Sequence, residues 1–134
     1  MRSRLLGLLG VALALAVAFA VRAVDDGALR QYSGTALYAS MIYAGVYVLR
    51  PRTTPLAAGA AAIAWCWAVE LAQLTGIPAE LSSRSILARY ALGVTFDAAD
   101  LAWYPVGVVP LVLIHLFLTR KFHGLTWADG RARR

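Results

Sequence analysis

Four long apolar runs, joined by short polar segments, take up most of this chain. They cover about residues 5–24, 33–49, 55–75 and 97–118, each near the length that crosses a hydrocarbon core of about 30 Å. In lipid the backbone must satisfy its own amides, so such runs fold as helices packed side by side. The pattern predicts an all-α polytopic membrane protein, a four-transmembrane-helix bundle in which residues 1–134 form one integral membrane domain. Composition agrees: 60% of the 134 residues are apolar, against about half in soluble domains. No length remains for a separate soluble domain.

The joints carry their own signals. The first run follows Arg2 and Arg4 and also fits a signal peptide, with Ala18-Phe19-Ala20 as a small-x-small cleavage pattern. Its apolar stretch to Val21 is near the minimum for a span and Arg22 can snorkel, which favours a retained helix. The second run follows Asp25, Asp26 and Arg30, stops at Arg50-Pro51-Arg52, and has Tyr32 and Tyr47 at interfacial positions. The third is bounded by Thr54 as N-cap, Pro55 at the first helical position, Gly76 beyond its end and Pro78 barring continuation. The connection from Thr75 to Thr95 predicts a short interfacial helix at about residues 82–91, capped by Ser82 or Ser83. The fourth run opens near Asp97, capped by Thr95 or Asp97. Pro105 and Pro110 interrupt it and free the carbonyls of Leu101 and Val106, which need partners in an inward-packed, kinked helix.

A formal net charge of +6 invites a nucleic-acid reading, but the basic residues cluster at run ends without aromatic interleaving. They read as topology signals. Arg2, Arg4, Arg50, Arg52, Arg120, Lys121, Arg131, Arg133 and Arg134 fall on one side, and Arg22, Arg30, Arg84 and Arg89 on the other. That asymmetry predicts a bacterial inner-membrane protein with both termini cytoplasmic, the basic tail resting on anionic lipid.

Glu70 is the one charge within the third run, and Gln73 shares its face at i+3. A carboxylate at such a depth costs about 2.5 kcal/mol or more. On the fourth helix Asp97, Asp100, Tyr104 and Gly107 repeat at spacings of one helical face. Consecutive helices are antiparallel neighbours by default, so the two faces can meet near the outer interface, with Arg84 and Arg89 between them. The candidate ligand-binding set is therefore Glu70, Gln73, Arg84, Arg89, Asp97, Asp100 and Tyr104, with Glu70 and Asp100 as candidate acid–base groups. The plainer alternative is a polar lock in which Glu70 pairs with Arg84 or Arg89 and nothing is bound. Interhelical hydrogen bonds in membranes average only about 0.6 kcal/mol, a small return for that burial.

Other side chains point elsewhere. The lone Cys66 reads as a buried hydrophobe, and His115 has no second ligand nearby, so neither metal nor cofactor is indicated. Tyr43, Trp65, Trp67 and Trp103 read as packing or interfacial residues, and His123 as interfacial. Ser82-Ser83-Arg84-Ser85 lacks a nearby histidine base for nucleophilic chemistry.

The combination Arg30-x-Tyr32-x-Gly34, Glu70-Leu71-Ala72-Gln73-Leu74, Arg84 and Leu92-Gly93-x-x-Phe96-x-x-x-Asp100-Leu101-x-x-Tyr104-x-x-Gly107 resembles a bacterial domain-of-unknown-function family of small four-helix membrane proteins. Its members are often labelled "ribosomal maturation YjgA family protein". It is more distantly similar to VanZ-like proteins, which share the Glu-x-x-Gln helix, an Arg and the Asp-x-x-x-(Asn/Tyr)-x-x-Gly helix. The resemblance implies an integral membrane protein of unassigned activity, adds to the case for a retained first helix, and through the VanZ-like link to glycopeptide resistance hints at the outer envelope. The family commonly has an acid where this chain has Thr35. The ribosomal label finds no support, since so apolar a chain cannot act as a soluble assembly factor. Three functions compete: binding or modifying an envelope lipid or lipid-linked precursor, with arginines on phosphate; an accessory subunit whose polar cluster only locks the bundle; and a transporter, which so few helices support only as a homo-oligomer.

Overall fold

An apolar segment can satisfy its own amides as a helix, and among the described residues every regular element is one. The computed structural model describes the backbone of residues 2–24 and 27–131 and the side chains of residues 4–21, 23–24 and 27–120. The topology signals at Arg2, Arg22, Lys121, Arg131, Arg133 and Arg134, together with Asp25, Asp26 and His123, lie outside the described side chains.

The helices are α1 (Arg2–Val24), α2 (Ala28–Leu49), α3 (Pro55–Gln73), α4 (Ile77–Arg84), α5 (Ile86–Leu92) and α6 (Asp100–Arg131). Three of them contain windows long and apolar enough to cross a membrane: Arg4–Val21, Pro55–Gln73 and Asp100–Arg120, with mean hydropathies of 2.3, 1.4 and 2.0. Although 22 residues long, α2 is not among the three, since it opens on Arg30, Gln31 and Ser33 and carries Tyr32, Tyr38, Tyr43 and Tyr47. It also begins earlier than its apolar run. The Gly27 carbonyl accepts from Gln31 N–H at 3.2 Å, so a polar first turn is helical before hydropathy registers it.

The caps of α3 follow the sequence closely. Thr54 accepts from the Ala57 amide at 3.3 Å and Pro55 begins the helix. Gly76, at φ +76°, turns the chain and precedes α4, where Pro78 sits in the first turn instead of closing off helical structure. The expected single interfacial helix is thus two. Ser85 breaks the chain between them and caps α5 by accepting from Ala88 N–H at 3.3 Å. Ser82, expected as a cap, is buried and donates to the Gly93 carbonyl at 2.7 Å.

Ala39, Tyr43 and Tyr47 of α2, Ala58, Ala62 and Cys66 of α3, and Tyr104, Val108 and Val112 of α6 form the core. Small residues bring these helices close. Gly107 of α6 lies so near the backbone of Ala36 that a side chain there would overlap its carbonyl. Both prolines fall inside a continuous α6. The Leu101 carbonyl that Pro105 leaves without its amide receives the Trp67 indole N–H at 3.0 Å, a partner of the kind the sequence requires. Tyr43 bonds to Tyr47 at 3.4 Å and to His115 Nδ1 at 3.1 Å, so His115 belongs to an aromatic contact between α2 and α6.

By contrast, among the described residues α1 packs closely only on α2, while α4 and α5 pack on each other and against α3.

Two glycine substitutions should move stability in opposite directions. Gly107→Ala should destabilise by about 1–3 kcal/mol through overpacking. Gly45→Ala, where an added Cβ meets nothing within 4 Å, should stabilise the helix by about 0.5–1 kcal/mol. Thermal unfolding of the two variants in detergent reads the contrast, and equal midpoints would contradict the α2–α6 contact.

Candidate functional site

Helical phase carries Glu70, near the end of α3, into the interior, where it is 1% exposed. A buried carboxylate needs donors. Glu70 Oε1 accepts from the Asp97 backbone N–H at 2.6 Å, and Oε2 accepts from the Tyr104 hydroxyl at 2.6 Å. One side chain therefore ties α3 both to the turn before α6 and to the first turns of α6. The expected meeting of the two faces is observed, with the Glu70–Tyr104 bond at its centre.

The expected ion pair is not. Arg84 binds Glu80, one turn back on α4, with both side chains largely exposed. This local i,i+4 pair takes Arg84 away from the cluster. Arg89 lies on the exposed side of α5, and its guanidinium has no partner among the described residues. Both described donors to Glu70 are neutral.

The other two acids follow the same rule. Asp97 sits in the turn before α6, so the shared helical face begins at Asp100, not at Asp97. Its Oδ1 accepts from Ala99 N–H at 2.9 Å, an Asx-type contact that opens the helix. Its Oδ2 accepts from Gln31 Nε2–H at 2.7 Å, which fastens the first turn of α2. Asp100 Oδ1 accepts from the Thr35 hydroxyl at 2.9 Å, and its other oxygen has no partner among the described residues. Thr35, conspicuous in the sequence only as a missing acid, is a neutral donor to Asp100.

Gln73 reaches the other way. Its Nε2–H donates to the Leu92 carbonyl at 2.7 Å, while its Oε1 is buried with no partner. Leu92 belongs to a set of three: Tyr38 donates to the Ala91 carbonyl and Ser82 to the Gly93 carbonyl, each at 2.7 Å. The last carbonyls of a helix lack intrahelical donors, and here α2, α3 and α4 each supply one. Gly93, at φ +66°, ends α5 against the Gln73 amide. Sequence reasoning missed Gln31, Tyr38 and Ser82 as partners. No local pattern links them to residues so distant in the chain, though the bare carbonyls of α5 announce that donors are needed.

Glu70, Gln73, Arg89, Asp100 and Tyr104 border a cavity of about 1040 Å³; Arg84 and Asp97, expected in the same set, are not in its lining. One wall is apolar, from Leu15, Ala18 and Phe19 of α1, Met41 of α2 and Val69 of α3. The other end is polar, with Arg30, Thr35, Gln73, Arg89 and Asp100. Residues of α1 and α3 both line it. Among the described residues no group of three or more His, Cys, Asp and Glu side chains is arranged to hold a metal ion.

Removing either end of the Glu70–Tyr104 bond should cost stability. Tyr104→Phe leaves Oε2 with one donor fewer and should lose about 1.5–3 kcal/mol, the range for hydrogen bonds to charged groups. Glu70→Gln retains an acceptor for one donor but sets an amide NH₂ against the other, for a similar loss. In a double-mutant cycle by chemical unfolding, the two changes should fall short of additivity by at least about 0.5 kcal/mol; strict additivity would mean the bond carries no coupling.

No curated protein matches the chain, and no solved structure matches it. The family described as "Protein of unknown function (DUF2809)" matches residues 24–108, a segment that contains Glu70, all its partners and the whole of α2 to α5. The chain is a member of the DUF2809 family.

Proposed function

We propose that the protein is a four-span bacterial inner-membrane protein that holds an envelope lipid or lipid-linked precursor in the groove between α1 and α3, a VanZ-like role. The observation that carries this reading is the two-part lining of the cavity: apolar side chains from α1, α2 and α3, and polar ones that include Arg30, Arg89 and Asp100. An amphiphile fits such a lining. Its chains lie against the apolar side chains while a phosphate meets the Arg89 guanidinium, a charge-assisted contact. Pockets for small molecules span about 300–1,000 Å³, and this one lies at the upper end.

In this reading α2 is the fourth span. At about 1.5 Å per residue its 22 residues reach about 33 Å. Its neighbours α1, α3 and α6 pack along it, and the polar residues Arg30 and Gln31 at its start are exposed, as suits a helix end at the interface. The α4–α5 pair lies at the outer interface, and both termini are cytoplasmic. Glu70, with both oxygens engaged, orders the frame of the groove; Asp100, with an oxygen to spare, is the acid that faces the guest.

A second reading has an observation of its own. Both Glu70 oxygens are satisfied within the protein, as a purely structural lock in an accessory subunit requires. The readings part at Arg89, which the lock does not use. Mass spectrometry of lipid retained by purified protein should find bound phospholipid in the wild type. Arg89→Ala, with unchanged thermal stability, should retain about tenfold less, the equivalent of about 1.4 kcal/mol. Full retention in that variant, or none in the wild type, would overturn the lipid reading in favour of the lock.

A further inference from the structure

The polar end of the groove holds charges of both signs, which bears on the chemistry of its guest. Glu70, Asp97 and Asp100 accept from two backbone amides, two hydroxyls and a carboxamide, all neutral donors. Of the three, Asp100 both lines the cavity and keeps an oxygen without a partner among the described residues. Arg89 lines the same cavity from α5, its guanidinium without a partner among the described residues, and Arg30 lines it from α2. A simple anion would be drawn to Arg89 and repelled by Asp100. A simple cation would meet the reverse. A guest carrying both charges a few bonds apart satisfies both walls.

We infer that the groove selects a zwitterionic phospholipid with a primary-amine headgroup, its phosphate on Arg89 and its ammonium donating to Asp100. This deepens the lipid reading above and rests on it. The amine is preferred to a quaternary headgroup because Asp100 offers an acceptor, and only an N–H can use it. A quaternary ammonium lacks donors, so it can use neither oxygen of Asp100 as a hydrogen-bond acceptor. A glycerol headgroup supplies donors but leaves a net negative charge beside the acids. Thr35 fits the same scheme: its hydroxyl satisfies one Asp100 oxygen without neutralising it, so the carboxylate keeps its attraction for a cation.

The test uses the full chain in nanodiscs containing equal parts of phosphatidylethanolamine, its mono- and dimethyl forms, phosphatidylcholine and phosphatidylglycerol, with retained lipid read by native mass spectrometry. The primary amine should be enriched about tenfold over phosphatidylcholine, the scale of one charge-assisted hydrogen bond, and retention should fall stepwise as N–H groups are methylated. That series needs no variant and so does not depend on one folding. Asp100→Asn should flatten the series while phospholipid as a class is still retained, and Thr35→Val, which keeps the carboxylate, should preserve it. Equal retention across the series, or preference for phosphatidylglycerol, would overturn the headgroup inference and leave the lipid groove standing. No retained lipid of any class would overturn both.

Discussion

The carboxylate of Glu70, shut away from solvent between an amide and a phenol, is the contact on which the rest of the arrangement depends. Burying a charge is tolerable only when donors are fixed around it, and here they come from two places in the chain. The Asp97 amide belongs to a turn, and the Tyr104 hydroxyl to a helix. Holding both at 2.6 Å fixes how far α6 may slide or rotate along α3. Asp97 and Asp100 extend that control to α2 through Gln31 and Thr35. Three helices therefore share one register at one end, while at the other end of the core Tyr43, Tyr47 and His115 fasten α2 to α6.

Neutral partners have a physical consequence that ion pairs would lack. An arginine against Glu70 would cancel the local charge and leave nothing to attract a guest. Amides and hydroxyls stabilise the carboxylates but leave their field in place. Of the arginines in the same region, Arg84 is engaged locally with Glu80, while Arg30 and Arg89 line the cavity.

Much of this frame is legible in the residues. Thr54, Pro55 and Gly76 mark the ends of α3, and Pro105 announces a carbonyl that Trp67 then serves. Glu70 and Tyr104 could be brought together from helical phase and the antiparallel rule alone. What was not legible follows from three physical causes. Hydropathy measures apolar content, not helicity, so the polar first turn of α2 was missed. A local pair outcompetes a distant one, so Arg84 chose Glu80. Backbone groups carry no letter in a sequence, so the Asp97 amide and the carbonyls at the end of α5 could not be foreseen as partners.

The position of α1 has a consequence for how such a protein can change. Among the described residues it packs closely only on α2 and supplies one side of the groove, the described hydrogen bonds of Glu70 come from other elements, and the family match begins at residue 24. Frame and wall are thus separable parts. Substitutions along the groove-facing stripe of α1, at positions such as Leu15 and Phe19, can reshape the space beside the polar end without disturbing the register that the acids maintain. Sequence change on α1 can in this way alter one side of the cavity while the hydrogen bonds of Glu70, Asp97 and Asp100, which come from other elements, stay in place.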